Sequence, residues 1–147
     1  MTNRYAWAGT ILNVDLTNMT MSKETLSQEF AAKYIGGCGF GARILYDEVG
    51  PEVDPLGPEN ISIIGQGPLS GTPLPAGRYD LISKSPLTGI YGRSNGGGFF
   101  GPEMRYAGYD LIVVRGKAER PVYLWIDDEH VELRDASHLL GKDVWET

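Results

Sequence analysis

Residues 109–127 have the sequence YDLIVVRGKAERPVYLWID, which contains the two clearest strand patterns of the chain. Residues 109–115 and 121–127 are rich in β-branched and aromatic side chains, as is typical of strands. A polar segment that begins at Gly116 joins them, so we predict that the two strands pair. Residues 130–134 add one more strand. This part of the chain therefore predicts a strand-rich fold.

Strand patterns and short helical patterns continue outward from this segment to both ends of the chain. Residues 7–16 and 19–24 flank a turn at 17–18, which predicts a hairpin. Asp143 has the features of a helix N-cap shortly before Thr147, so we expect the sequence to be truncated within a helix. The other predicted elements are strands at 60–66, 78–84 and 90–94 and helices at 28–34, 40–49 and 99–107. The predicted fold class is α+β, strand-rich and mostly antiparallel, with a few short helices.

Composition restricts the classes of function. A length of 147 residues suits one domain, so we expect a single domain over 1–147. The formal net charge of −6 argues against a nucleic acid partner. Apolar runs such as 111–114 are far too short to cross a bilayer, so we expect no membrane partner. Cys38 is the single cysteine and cannot ligate an iron–sulfur cluster alone, and its isolation is consistent with the reducing cytoplasm, where we place the protein.

Glycine is the compositional outlier. The chain has 20 glycines in 147 residues, which is about twice the usual share of about 7%. They are concentrated at 36–41, 65–71, 89–101 and 108–116. Clustered glycines indicate tight turns or a close backbone approach. Backbone N–H groups of 36–41 can face an anion at the start of the next helix, but this segment matches neither a Walker loop nor a dinucleotide fingerprint, and a plain turn between helices explains it equally well.

Two glycine-rich segments carry the polar side chains of a candidate site. Arg78 begins a predicted strand, and Asn95 is followed by Gly96, Gly97 and Gly98 before a predicted helix. Arginine offers a rigid fork of donors to a phosphate or a planar heterocycle, and asparagine offers both a donor and an acceptor. Three glycines leave the backbone bare, so that a flat ligand can lie against it. Together these residues predict a site for a large phosphate-bearing heterocycle. The alternative is a surface cation beside glycines that only turn the chain.

Other residues with reactive side chains are better explained without a site. His130 and His138 lie away from the glycine-rich segments and beside no obvious nucleophile, so we interpret them as surface or structural residues. Cys38 is either a reactive thiol near a helix N-terminus or a small buried residue, and the second interpretation is favoured by the burial habit of free cysteine. The acidic triplet 127–129 is predicted to be a solvated turn between strands.

An ordered series of short motifs runs through essentially the whole chain. It opens with WAGTILNVDLT at 7–17, which resembles the pattern W-x-G-x-(I/L)-x-x-V-(N/D)-L-(T/S). The later motifs are GGCG at 36–39, DPLGPEN at 54–60, GPLSGT at 67–72, GRY at 77–79, KSPLTG at 84–89, SNGGGFFG at 94–101, AGYD at 107–110 and GKA at 116–118. The series resembles the N-terminal domain of tungsten-containing aldehyde:ferredoxin oxidoreductases. No single motif is specific, but their order is.

The resemblance implies a fold, a cofactor and an activity. The family's N-terminal domain has antiparallel sheets in a barrel-like, pseudo-twofold arrangement. A tungsten ion (or its molybdenum equivalent) held by two pterins lies on it, and a magnesium ion bridges the pterin phosphates. Later domains, absent from this chain, carry the ligands of a 4Fe–4S cluster. The enzyme oxidises aldehydes to carboxylic acids and passes electrons to ferredoxin, so we expect this chain alone to be inactive.

The resemblance also assigns roles to particular positions. Arg78 matches the arginine between pterin and cluster, and Asn95 matches the residue whose backbone carbonyl approaches the magnesium ion. Gly96, Gly97 and Gly98 match the loop beside the pterins, and no residue of this chain is assigned a catalytic role. The motif GGCG departs from the family's G-G-R-G, which puts the contribution of that arginine in doubt here.

Two other classes of function remain open at the level of sequence. A stand-alone binding or assembly module of the same fold would lack catalytic activity, and a nucleotide-phosphate binder would be stabilised by ATP or NAD. If later domains are absent, the surface on the cofactor side is expected to be unusually apolar, which favours a homodimer. The identity of the aldehyde is not encoded in these residues.

Overall fold

The structure, a computed structural model, describes residues 6–147. It contains eight strands, three α-helices and a short 3-10 helix within that range. The strands are β1 Thr10–Asp15, β2 Thr20–Thr25, β3 Ser62–Gln66, β4 Tyr79–Lys84, β5 Tyr91–Gly96, β6 Leu111–Arg115, β7 Val122–Asp127 and β8 His130–Asp135. The helices are α1 Gln28–Tyr34, α2 Gly37–Glu48 and α3 Phe100–Tyr106, and the 3-10 helix is Ser137–Leu139. The α+β class is confirmed.

Local side-chain chemistry accounts for the first elements. The Asp15 carboxylate accepts hydrogen bonds from the backbone N–H groups of Thr17 and Asn18, and thereby closes the predicted β1–β2 hairpin. The Ser27 hydroxyl oxygen accepts a hydrogen bond from the N–H of Phe30, as an N-cap does. Both the hairpin and the bounds of α1 agree with the sequence prediction.

Six strands form one sheet in the order β2-β1-β6-β3-β4-β5, and β7 and β8 form a separate two-stranded sheet. Five of the six strand pairings are antiparallel, whereas β1 and β6 are parallel. The large sheet ends at β2 and β5, so within the described residues it is open. The expectation of a barrel-like arrangement is therefore wrong. The predicted pairing of 109–115 with 121–127 is also wrong, because β6 pairs with β1 and β3 while β7 pairs with β8.

Apolar side chains are buried on both faces of the large sheet. One cluster lies under α1 and α2 and includes Phe40, Ile63 and Ile82. The other includes Met104 of α3 and Ile112, with partly buried side chains of β7 and β8 packed against it. Since β6 contributes to both clusters, it is buried almost throughout. The sequence LIVVR suits such a central strand.

Helix α2 begins three residues earlier than predicted, so most of the 36–41 segment is helical rather than a loop. Its glycines allow the helix to lie close against the sheet. A Cβ atom at Gly37 would be 2.6 Å from Asp80 Oδ2, and one at Gly41 would be 2.7 Å from Ile82 Cδ1. Gly37 also has a φ angle of 39°, which glycine adopts without strain.

The C-terminal segment does not form the predicted helix. Asp143 does accept hydrogen bonds from the N–H groups of Trp145 and Glu146, as an N-cap would, but the residues that follow form only a turn. A segment this short cannot propagate a helix. No helix within residues 6–147 combines the length and apolar character required to span a membrane.

Candidate functional site

The candidate site lies where the start of β4 meets the end of β5, beside the first turn of α2. Arg78 directly precedes β4, and Asn95 is the last but one residue of β5. The two strands are antiparallel with Asp80 opposite Asn95, so these two ends are neighbours. Arg78 Nη1 donates a hydrogen bond of 2.6 Å to Asn95 Oδ1. The two polar residues singled out from sequence are therefore in direct contact.

The amide of Asn95 is fixed by the protein itself. Its Nδ2 donates to the carbonyl oxygen of Tyr79 at 3.2 Å and to Asp80 Oδ1 at 3.0 Å, and its Oδ1 accepts from Arg78. Both the donor and the acceptor function of the side chain are thus engaged. The amide orients the Arg78 guanidinium group, and the backbone of Asn95 is the part of this residue left to face a ligand.

The position of β5 determines where that backbone points. Ser85 N–H donates to the carbonyl of Ile90, which makes these residues a hydrogen-bonded pair of the β4–β5 ladder. Pairs alternate along an antiparallel ladder, so Asp80 and Asn95 form a non-hydrogen-bonded pair. The backbone groups of Asn95 then face away from β4. Since β5 is the edge strand of the sheet, its carbonyl lies along a free edge.

The three glycines after Asn95 differ in what the fold requires of them. A Cβ atom at Gly96 would lie 2.5 Å from the ring of Tyr79, so Gly96 is needed for packing. Gly98 has a φ angle of 91°, a conformation that favours glycine. Gly97 has neither constraint, because a Cβ atom there would meet nothing within 4 Å. Space beside its backbone is therefore open.

Asp80 connects the elements around the site, and the sequence analysis did not identify it. Asp80 is buried. Its Oδ2 accepts a hydrogen bond from the backbone N–H of Cys38 at 3.0 Å. Its Oδ1 accepts hydrogen bonds from Arg93 Nε at 2.8 Å and from the Asn95 amide. One carboxylate thus ties the first turn of α2 to β5. The signal available in sequence was a charged residue at an inward-facing position of a strand.

Arg93, to which the sequence analysis gave no role, lies on the same face of β5 as Asn95. Its guanidinium group interacts electrostatically with both Cys38 and Tyr91. Burial raises the pKa of the Tyr91 phenol, and the nearby Cys38 adds to this effect. Cys38 occupies the position where the resemblance led us to expect an arginine. In the structure it lies near Arg93, an arginine of β5.

The two histidines and the acidic turn lie at the surface, as interpreted from sequence, whereas Cys38, expected to be buried, is only partly buried. His130 Nε2 is 2.6 Å from Glu132 Oε1 at the exposed end of the β7–β8 hairpin, and Glu132 also pairs with Arg134. His138 lies in the exposed 3-10 helix. Asp128 and Glu129 form the exposed turn between β7 and β8, as predicted. Over residues 6–147, no group of three or more His, Cys, Asp and Glu residues is arranged to hold a metal ion.

Residues 11–147 match the family described as "Aldehyde ferredoxin oxidoreductase, N-terminal domain". The chain belongs to this family. The tungsten-containing aldehyde ferredoxin oxidoreductase of Pyrococcus abyssi is 51% identical to it over 97% of the chain, and that of Pyrococcus horikoshii is 50% identical over the same share. The resemblance drawn from the motif series is thereby confirmed.

Members and structural relatives carry different names. An "aliphatic sulfonate oxidoreductase, WOR-like subunit" of Pyrococcus furiosus is 43% identical over 93% of the chain. A chain in the active site complex BamBC of benzoyl coenzyme A reductase, solved with 1,5-dienoyl-CoA, superposes with a TM-score of 0.91 at 45% identity. The superposition covers 93% of this chain and 21% of the chain of the benzoyl coenzyme A reductase complex. The chain spans about a quarter of the length of the curated relatives it matches (24% for the Pyrococcus abyssi enzyme).

Proposed function

We propose that this chain forms the part of an oxidoreductase that binds a tungsten bis-pterin cofactor. The whole protein oxidises aldehydes to carboxylic acids with ferredoxin as the electron acceptor. The relatives from Pyrococcus abyssi and Pyrococcus horikoshii, each at least 50% identical, are named tungsten-containing aldehyde ferredoxin oxidoreductases, which supports this proposal. The tungsten centre supplies the two-electron redox chemistry when bound, and the ligands of the iron–sulfur cluster belong to the remainder of the protein.

The observation that carries the proposal is the contact between Arg78 and Asn95 beside an open glycine backbone. Only Nη1 of Arg78 has a partner in the described residues, so the rest of its donor fork is available to an anion. Gly97 and Gly98 leave room for a flat ring against the chain. The donor set therefore fits a bulky anionic heterocycle.

The residues present account for how such a group would be held. Arg78 contributes positive charge towards the phosphates, and Asn95 keeps that guanidinium group in place. The backbone carbonyl of Asn95 at the free edge of β5 is an oxygen ligand of the kind that magnesium prefers. Gly96, Gly97 and Gly98 provide the contact surface. None of these residues transfers electrons or protons in this scheme.

The structural relative favours a second candidate reaction. The likeness to a chain of benzoyl coenzyme A reductase is close, at 45% identity and a TM-score of 0.91. A protein with the same cofactor-binding part would then reduce an aromatic coenzyme A thioester instead of oxidising an aldehyde. Both candidates share the cofactor role proposed for this chain, and they differ in the parts that lie outside it.

Metal and pterin analysis of the full-length gene product tests the proposal. We expect tungsten by mass spectrometry and two pterins per tungsten by fluorescence after oxidation. Replacing Arg78 by Met should lower both contents at least tenfold, while Arg43→Met, on the exposed side of α2, should leave them unchanged. A folded product without tungsten and pterin would reject the cofactor role. Assays with an aldehyde and with benzoyl coenzyme A then distinguish the two reactions.

A further inference from the structure

The guanidinium group of Arg93 is bound to the protein at one of its three nitrogen atoms. Its Nε donates to Asp80 Oδ1 at 2.8 Å, and its side chain is 46% exposed whereas that of Asp80 is 11% exposed. Among the described residues, its Nη groups have no hydrogen-bond partner. The guanidinium group is therefore held at Nε, while its Nη donors are free within residues 6–147.

The ion pair with Asp80 does not cancel all of the positive charge at the site. Asp80 shares its two oxygens among Arg93, Asn95 and the backbone of Cys38, while Arg78 reaches the same carboxylate only through Asn95. Arg78, Arg93 and Asp80 together carry a local formal charge of about +1, on a chain whose formal net charge is −6. The nearby Tyr91 is a neutral phenol, and burial raises its pKa further.

Stability alone does not explain the arrangement. Loss of Arg93 would leave the largely buried Asp80 carboxylate without its ionic partner, but that pair uses only Nε of Arg93 and leaves its Nη groups free in the described part of the chain. What Arg93 adds is a second donor fork on the face of β5 that already carries Asn95, two residues away along the same strand. Two neighbouring forks suit a ligand with more than one phosphate oxygen group.

We propose that Arg93 is a second anion-binding residue of the site and that Asp80 is its positioning residue. The Nη groups of Arg93 donate to a phosphate-type group that Arg78 reaches from the start of β4. The identity of that group as part of a pterin cofactor rests on the proposed function. The site itself requires only a phosphate ester or diphosphate of suitable size.

Calorimetric titration of the 147-residue chain with inorganic pyrophosphate tests the inference. We expect Arg93→Met to weaken binding about tenfold, since a charge-assisted hydrogen bond contributes about 1.5 kcal/mol or more. Arg93→Lys keeps the charge but loses the fork, so its affinity should lie between the two. The control Arg43→Met, which removes a half-exposed arginine paired with Asp47, should bind like the unmodified chain. Circular dichroism and thermal unfolding establish that each variant is folded.

Three results would overturn the inference: no pyrophosphate binding by the unmodified chain, binding by Arg93→Met within twofold of it, or an equal loss in Arg43→Met. The metal and pterin content of full-length Arg93→Met separates this inference from the proposed function. Normal cofactor content and normal pyrophosphate binding in that variant reject only the role of Arg93. A full-length protein without cofactor, whose pyrophosphate binding still depends on Arg93, rejects the cofactor but keeps the anion site.

Discussion

Among single residues, Asp110 links the stability of the fold to pH. Its carboxylate is buried and accepts hydrogen bonds from the N–H groups of Ala8 and Gly9. Burial nevertheless raises its pKa above the ordinary value of 3.8. The folded state then binds this proton more tightly than the unfolded state does. Its contribution to stability is present below pH 3.8 and is lost as the pH rises through the raised pKa.

The variant Asp110→Asn removes this titration while keeping an oxygen acceptor. We expect the unfolding free energy of the unmodified chain, relative to the variant, to fall as the pH rises from about 3.5 to 6.5. Urea unfolding at several pH values measures the difference. Parallel pH profiles for the two proteins would show that Asp110 titrates alike in both states, contrary to this prediction.

Gly41 and Gly97 are expected to have different roles, Gly41 in folding and Gly97 in cofactor binding. Gly41→Ala would bring a Cβ atom within 3.0 Å of three atoms of the buried Ile82, so we expect a net loss of about 1–2 kcal/mol despite the better helix propensity of alanine. Gly97→Ala meets no atom within 4 Å and should change stability by less than about 0.5 kcal/mol.

The effect of the two variants on cofactor content should be the reverse of their effect on stability. A methyl group at Gly97 occupies the space proposed for the heterocycle, so full-length Gly97→Ala should retain less tungsten and pterin. Gly41→Ala should keep the cofactor wherever it remains folded. Chemical denaturation and metal analysis together provide the test. Full cofactor content in Gly97→Ala would remove this residue from the proposed contact surface.

At the level of residues, the sequence was informative where a residue type is unusual for its position. An arginine before a strand and an asparagine before three glycines indicated that Arg78 and Asn95 share a site, and they are in contact. Arg93 was missed because an exposed arginine is ordinary in a strand, and Asp80 was missed although a charge at an inward-facing strand position was a signal. Their importance arises from the antiparallel register, which places Ile82 opposite Arg93 and Asp80 opposite Asn95. A one-residue shift of β5 would have moved Arg93 and Asn95 to the face away from the Asp80 side chain.

Among the elements, the segment after α2 depends on one lysine of β4. Lys84 is 6% exposed, and its ammonium group donates to the carbonyls of Gly50, Pro51 and Val53 at 3.0, 2.7 and 2.7 Å. All three of its donors are therefore used by carbonyls of the segment that follows α2.

Replacing Lys84 by Met should destabilise the fold by about 2–4 kcal/mol, because three carbonyls lose their donor. The exposed Lys142→Met serves as the matched control and should change stability by less than about 0.5 kcal/mol. Denaturant midpoints measure both. A loss below about 1 kcal/mol in Lys84→Met would mean that water replaces the ammonium group at little cost.

Helix α2 shows why the bounds of an element were harder to predict than its existence. Glycine is a poor helix former, so residues 36–41 were interpreted as a loop. In the structure α2 begins at Gly37, since close packing of Gly37 and Gly41 against β4 outweighs intrinsic propensity. Helix α1, in contrast, has an ordinary sequence and a serine cap, and its bounds were predicted correctly.

For the whole molecule, the strands were predicted but their partners were not. Residues 109–115 and 121–127 are adjacent in sequence, which favoured a hairpin, yet β6 lies in the centre of the large sheet. Its apolar side chains fill the cores on both faces. The parallel pairing of β1 with β6 joins segments about 100 residues apart, and an alternating pattern carries no information about such a distant partner. The open shape of the sheet follows from those pairings.

An exposed apolar surface remains on the chain at this scale. Leu74, Phe99, Phe100 and Tyr106, which we call the α3 patch, lie on α3 and the adjacent 67–77 loop. Phe99 is 82% exposed, and the hydroxyl of Tyr106 donates to the carbonyl of Gly71, which joins helix and loop. Large exposed apolar side chains grouped on a helix and its neighbouring loop are typical of an interaction site.

We therefore expect the 147-residue chain to form homodimers through the α3 patch. Burial of a phenyl ring contributes about 1.5–3 kcal/mol, so Phe99→Ser should raise the dimer dissociation constant about tenfold or more. Leu56→Ser, at an exposed position outside the patch, is the matched control and should leave it unchanged. Sedimentation velocity over a range of concentrations measures these constants. A chain that stays monomeric at high concentration, or a control that weakens association as much as Phe99→Ser does, would show that the α3 patch does not mediate self-association.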